Sequence, residues 1–148
     1  MSCYYFDDLA SGQKFGSKSS ISVSEEQIKA FASEFDPQPF HLDNEAATAS
    51  IFKGLAASGW HTAAMTMRLL VESDFKPVGG IVGAGFEELR WLIPVRPGDE
   101  LSMKSEILDV RPSNTRPSQG IVRLKMTTTN QNNDAVLISI GSLIVPKA

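Results

Sequence analysis

Asp36 and His41, an acid and an imidazole, stand five positions apart in the stretch Phe35-Asp36-Pro37-Gln38-Pro39-Phe40-His41. Pro37 and Pro39 each lock their own φ near about −65° and push the preceding residue out of the helical region, so a helix entering from Phe35 cannot run on through them. A stiff, irregular loop is predicted. A carboxylate and an imidazole on such a loop can converge on one reacting atom, as acid and base chemistry requires. The competing reading is plain turn chemistry, since Asp before Pro is common in turns and a lone histidine often serves packing. Two histidines and one cysteine supply no metal-binding spacing, so no metal is expected.

The elements around this stretch must aim it. Ser24-Glu25-Glu26-Gln27 is a capping-box pattern, and Ile28, Phe31, Ala32 and Phe35 follow at helical spacing, so a helix should point its C-terminal end at Asp36. Downstream, Asp43 and Asn44 can cap a short helix through Ala46, Ala47 and Ala49 that ends near Lys53-Gly54. The longest helical candidate comes next. From Trp60 to Val71, apolar residues fall on nearly every face, with Arg68 and Glu72 the main interruptions, which predicts a buried helix with Trp60, Met65 and Met67 in the core or, alternatively, lining a pocket. Ser58 is its candidate N-cap. Gly59 then sits in a first turn whose N–H groups have no helical partner. His61, one turn inside, reads as pocket lining or core rather than as a third catalytic group.

Lys14 to Val23 is predicted to be a first strand, and from Gly79 onward the period changes. IVGAGFEELRWLIPV reads as one long or broken strand, Arg96-Pro97-Gly98-Asp99 as a tight turn, and Glu100 to Val110 as a strand with Leu101, Met103, Ser105 and Ile107 on one side. Ile121 to Thr129 and Ala135 to Val145 supply two more strands, joined by a polar turn from Asn130 to Asp134. This order is α+β. One antiparallel sheet should wrap round the helix from Trp60, because the sheet's inner face needs an apolar element to pack on. At 148 residues the chain suits a single domain, 1–148, able to bury a core without staples. A net charge of −3 argues against a nucleic-acid partner. The opening residues lack a signal-peptide pattern, no apolar run approaches the roughly 18 residues of a membrane helix, and Cys3 cannot make an internal disulfide, so a cytoplasmic protein without a membrane partner is expected.

Taken together, these residues resemble the MaoC-like acyl dehydratases, which include the (R)-specific enoyl-CoA hydratases and adopt the hotdog fold. The resemblance covers nearly the whole chain. The family signature Asp-x-Asn-Pro-x-His is matched by Asp36-Pro37-Gln38-Pro39-Phe40-His41, the apolar segment that ends in glycine by Gly54 to Gly59, and the Pro-Gly-Asp turn by Pro97-Gly98-Asp99. Gln38 replaces the usual Asn, and Ser58 stands where many members have His. The resemblance implies a single hotdog domain with the sheet wrapped round a long central helix. It further implies (R)-specific hydration of a 2-enoyl thioester to a 3-hydroxyacyl thioester, or the reverse dehydration. Asp36, His41 and Gly59 would be catalytic, with Gln38, Ser58 and Trp60 at the substrate. No cofactor is implied beyond the acyl-CoA or acyl-carrier thioester itself. Arg90, Arg96, Arg111 and Arg116 are candidates to meet a carrier phosphate, and are equally readable as surface charges. A homodimer whose sheets continue edge to edge is also implied. Two alternatives stay open: a hotdog acyl-CoA thioesterase, which would not need an Asp/His pair on the loop, and a non-catalytic acyl-thioester-binding module, which would tolerate the loss of either residue.

Overall fold

The computed structural model describes residues 3–148. Helices occupy the first half of the chain and long strands the second, following the change of period from helical to alternating. Helix α1 (Glu25–Phe35) starts at the predicted box: the Ser24 side chain accepts from the Gln27 N–H, and the Gln27 side chain returns the contact to the Ser24 N–H. It buries Ile28 and Ala32. Two short helices follow, α2 (Pro39–Leu42) and α3 (Asn44–Thr48), and then the long α4 (Gly59–Val71).

Six strands form one antiparallel sheet: β1 (Lys14–Gly16), β2 (Ile21–Ser22), β3 (Val82–Trp91), β4 (Glu100–Pro112), β5 (Gln119–Thr129) and β6 (Ala135–Pro146). Their order is β1-β4-β5-β6-β3, with β2 pairing on β4. This is the hotdog arrangement: a curved sheet with a helix against its inner face. Alternation sets that face, with Leu101, Met103, Ser105 and Ile107 on β4 and Val122, Leu124, Met126 and Thr128 on β5 all buried. A buried hydroxyl contact of 2.6 Å between Thr66 and Thr128 ties α4 to β5.

Three expectations are corrected. The strand from Lys14 to Val23 is two short pieces, because Lys18 to Ser20 are exposed and leave the ladder, Ser17 still bonding Met103 of β4. The short helix after Asp43 ends at Thr48, ahead of Lys53-Gly54. Helix α4 is not buried all round. Thr62, Met65, Thr66, Leu69 and Leu70 face the sheet, whereas Trp60, Met67 and Val71 are exposed, Trp60 at 57%. Spacings of seven and four put those three on one stripe. The sheet curls round one side of the helix and leaves this stripe largely open, with Trp91 of β3 meeting the stripe at Trp60. No described helix is long and apolar enough to cross a membrane.

Candidate active site

The two prolines end α1 where the sequence requires. Asp36 is its C-cap, with the backbone N–H still donating to the Ala32 carbonyl, and then the chain turns. The segment beyond is more regular than the predicted loop. Pro39 opens one turn of helix, a position that tolerates proline because its missing N–H would have had no partner. That turn carries His41 inward.

His41 is 4% exposed, and its Nδ1 lies 2.6 Å from the Ala56 carbonyl. A carbonyl only accepts, so Nδ1 carries the proton and neutral His41 presents a bare Nε2. Nε2 lies 3.3 Å from Asp36 Oδ2. The two facing atoms are both acceptors, and a hydrogen donor is what the pair calls for. The Gln38 amide donates to the other carboxylate oxygen of Asp36. Burial pushes the Asp36 carboxyl up, but hydrogen bonding from Ser58 and Gln38 and the electrostatic influence of the neighbouring His41 outweigh it and hold the carboxyl below its ordinary 3.8.

Ser58 links this pair to the central helix. Fully buried, its Oγ accepts from the Trp60 N–H at 3.2 Å as the N-cap of α4, and its hydroxyl helps to hold the Asp36 carboxyl down. The positive end of the α4 dipole adds to the stabilisation of the carboxylate. Gly59 is the first residue of α4, and among the described residues its N–H has no acceptor. Its carbonyl accepts from Trp91 Nε1 at 2.7 Å, and a Cβ built on Gly59 would stand 2.7 Å from the Trp91 ring. A side chain here would have to displace the indole.

Asp36, Gln38, His41 and Gly59 all line one cavity of about 440 Å³, whose other walls are mainly apolar. Trp60 lines it too, edge to face with Trp91 at 5.2 Å. Ser58 stands outside the lining and reaches the site through Asp36. His61 is also outside it; its ring stacks on Phe31 at 4.7 Å, its buried Nδ1 has no partner, and burial holds its basicity down. Of the four arginines considered for a phosphate, Arg96 is committed elsewhere, donating to the carbonyls of Phe52, Gly54 and Leu55. Arg90 pairs with Glu88, while Arg111 and Arg116 are exposed. Sequence reasoning missed Trp91 and Phe52 as cavity walls. The available signal for Trp91 was the run of large apolar residues from Trp91 to Val95 closing a strand otherwise rich in charge.

The chain has well-defined relatives. A family model described as a MaoC like domain matches residues 8–130. An uncharacterized protein of Bacillus subtilis, YdeM, is 36% identical over 141 residues, covering 95% of this chain and 98% of that protein. Among solved structures, a MaoC-like dehydratase from Rhodospirillum rubrum superposes with a TM-score of 0.93 at 50% identity, covering 98% of both chains. The unliganded (R)-hydratase PhaJ1 from Pseudomonas aeruginosa gives 0.76 at 27% identity, over 97% of this chain and 86% of that one. With its sheet wrapped on one helix, its Asp/His pair at the helix head and a family match over most of its length, the chain belongs to the MaoC-like dehydratase family.

Proposed function

We propose that this protein adds water across the double bond of a 2-enoyl thioester to give the (R)-3-hydroxyacyl thioester, or runs the reverse dehydration. The observation that carries the proposal is the pairing of two acceptors, Asp36 Oδ2 and His41 Nε2, 3.3 Å apart on a cavity that Gly59 also lines, its N–H without an acceptor among the described residues. One water can donate a hydrogen to each acceptor. Removal of a proton from that water lets its oxygen bond to C3 as the C2–C3 π electrons move toward the thioester oxygen. The pair then returns the proton to C2. Positioned acids and bases contribute about 10²–10⁴-fold each. Charge that builds on the thioester oxygen is met by the Gly59 N–H and the α4 dipole, preorganised donors of the kind that stabilise an enolate. The (R) outcome is drawn from the likeness to the (R)-hydratase.

The reaction as proposed uses no metal and no cofactor, the carrier being part of the substrate. Gln38 orients Asp36, Ser58 holds both the carboxylate and the helix head, and Trp60 walls the substrate. The carrier is coenzyme A or an acyl carrier protein, with Arg111 and Arg116 as candidate phosphate contacts, and the location is cytoplasmic. The protein works as a homodimer joined along β3, one edge strand of the sheet.

The test follows loss of the enoyl absorbance with crotonyl-CoA and longer enoyl-CoAs, together with product chirality, for wild type, Asp36→Asn and His41→Ala. Hydration to the (R) product by the wild type, with both variants lowered by about 10²-fold or more, is the expected result. Equal rates in all three proteins would remove the assigned roles. Release of free coenzyme A would point to a thioesterase, and binding without turnover to an acyl-thioester-binding module.

A further inference from the structure

Arg96 lies in the turn before β4 and outside the cavity lining, yet its guanidinium is spent on one segment, the stretch that leads from α3 to the head of α4. Nη1 donates to the Gly54 carbonyl at 2.8 Å and to the Leu55 carbonyl at 3.2 Å, and Nη2 to the Phe52 carbonyl. The arginine is itself held, because its backbone N–H donates to Asp99 Oδ2 at 2.9 Å and Asp99 Oδ1 accepts from Gln131 at 3.0 Å. The residue after Leu55 is Ala56, whose carbonyl receives the His41 Nδ1 proton. Its N–H donates to the Phe40 carbonyl at 3.3 Å, and the next N–H, of Ala57, donates to Val95 at 2.9 Å.

We infer that Arg96 is a positioning residue for His41: by gripping Phe52, Gly54 and Leu55 it fixes the Ala56 carbonyl, which holds the imidazole in the tautomer that presents a bare Nε2 to Asp36. A flat fork with several donors suits convergent carbonyls, and a lysine ammonium on a flexible stem cannot hold three at once in that geometry. With the grip gone, Ala56 loses its register and the Nε2–H tautomer becomes competitive. That tautomer would turn a donor toward Asp36 and close the place where the water is to be held. The same grip sets the Phe52 ring, which stands 6.1 Å from the His41 ring and lines the cavity.

The catalytic part of this inference rests on the hydratase reading; the tautomer part does not. The chain has only His41 and His61, so ¹⁵N spectra of the histidine side chains can be assigned with one His61→Asn variant. The wild type should show His41 protonated at Nδ1 near neutral pH. Arg96→Met should move His41 measurably toward the Nε2–H form and lower kcat by about tenfold to a hundredfold with a smaller change in KM, the scale of a small misplacement of a reacting group. Arg96→Lys, which keeps the charge, should fall between, and it is read in the same way if the methionine variant does not fold. A folded Arg96 variant whose His41 stays wholly in the Nδ1–H form overturns the inference, as does a wild type that lacks that form. If the tautomer shifts while the wild type hydrates no enoyl thioester, the inference stands and the hydratase reading falls. If the wild type hydrates and the tautomer does not move, the reverse holds.

Discussion

Asp36 makes the proposed chemistry depend on pH in a definite direction. Its carboxyl is held below 3.8 in the folded protein, so it is ionised through the neutral and mildly acidic range, ready to accept from water. The sign for stability follows by linkage. A carboxyl with a depressed folded pKa contributes stability that is fully present above the unfolded value and is lost as pH falls through the folded one. The stability difference between wild type and Asp36→Asn, measured by denaturant unfolding, should therefore be constant from neutral to mildly acid pH and shrink only in strong acid. A difference that shrinks near neutrality would contradict this. Gly59 carries a second test at the same level. A methyl group there would stand 2.7 Å from the Trp91 ring, so Gly59→Ala should cost about 1–3 kcal/mol of overpacking. The same change in a Trp91→Ala background should cost well under half of that, and a double-mutant cycle on thermal unfolding reads the difference. Additive costs would mean that the indole is not what excludes a side chain at position 59.

Between elements, one tie of α4 to the sheet is polar. Thr66 donates to the Thr62 carbonyl at 2.9 Å, so the 2.6 Å contact with Thr128 is completed by the Thr128 proton, and both side chains are buried. Thr66→Val should leave the Thr128 hydroxyl unsatisfied and cost about 1–3 kcal/mol, while Thr66→Val with Thr128→Val should recover part of that loss, because removing both polar partners is cheaper than orphaning one. Chemical denaturation of the two variants checks it, and a double variant no more stable than the single one would refute it. Such ties also show why parts of the site were legible in sequence and parts were not. The Ser24–Gln27 box, the break at Pro37 and Pro39, and the Ser58 cap are local, and each can be worked out from residues within a few positions. Trp91 reaches Gly59 across 32 positions and Arg96 reaches Gly54 across 42, contacts that exist only once β3 and the turn after it are folded against the helix head. Arg96 in sequence is a cation beside a Pro-Gly-Asp turn, readable equally as a phosphate contact or a surface charge, and nothing local to it announces the carbonyl grip it makes.

The misread face of α4 leads to the assembly. Apolar periodicity reports which faces of a helix need cover but not what supplies it, and the stripe of Trp60, Met67 and Val71 lies on the side that the sheet leaves open. Strand β3 ends the sheet order, so one edge of it presents unpaired N–H and C=O groups, and its Phe86, opposite Gly141 in the β6 ladder, is 57% exposed. An edge of that kind invites another strand. Two copies related by a two-fold axis would pair β3 with β3, since an antiparallel edge is complementary to itself, and would bring further apolar surface together without an open-ended assembly. Burying one large apolar side chain is worth about 1.5–3 kcal/mol, so Phe86→Lys should convert a dimer into a monomer with its circular dichroism unchanged. Light scattering of the wild type and of this variant reads the outcome directly. A wild type that is monomeric at micromolar concentration would remove the dimer, and a Phe86→Lys protein that stays dimeric would move the interface away from β3.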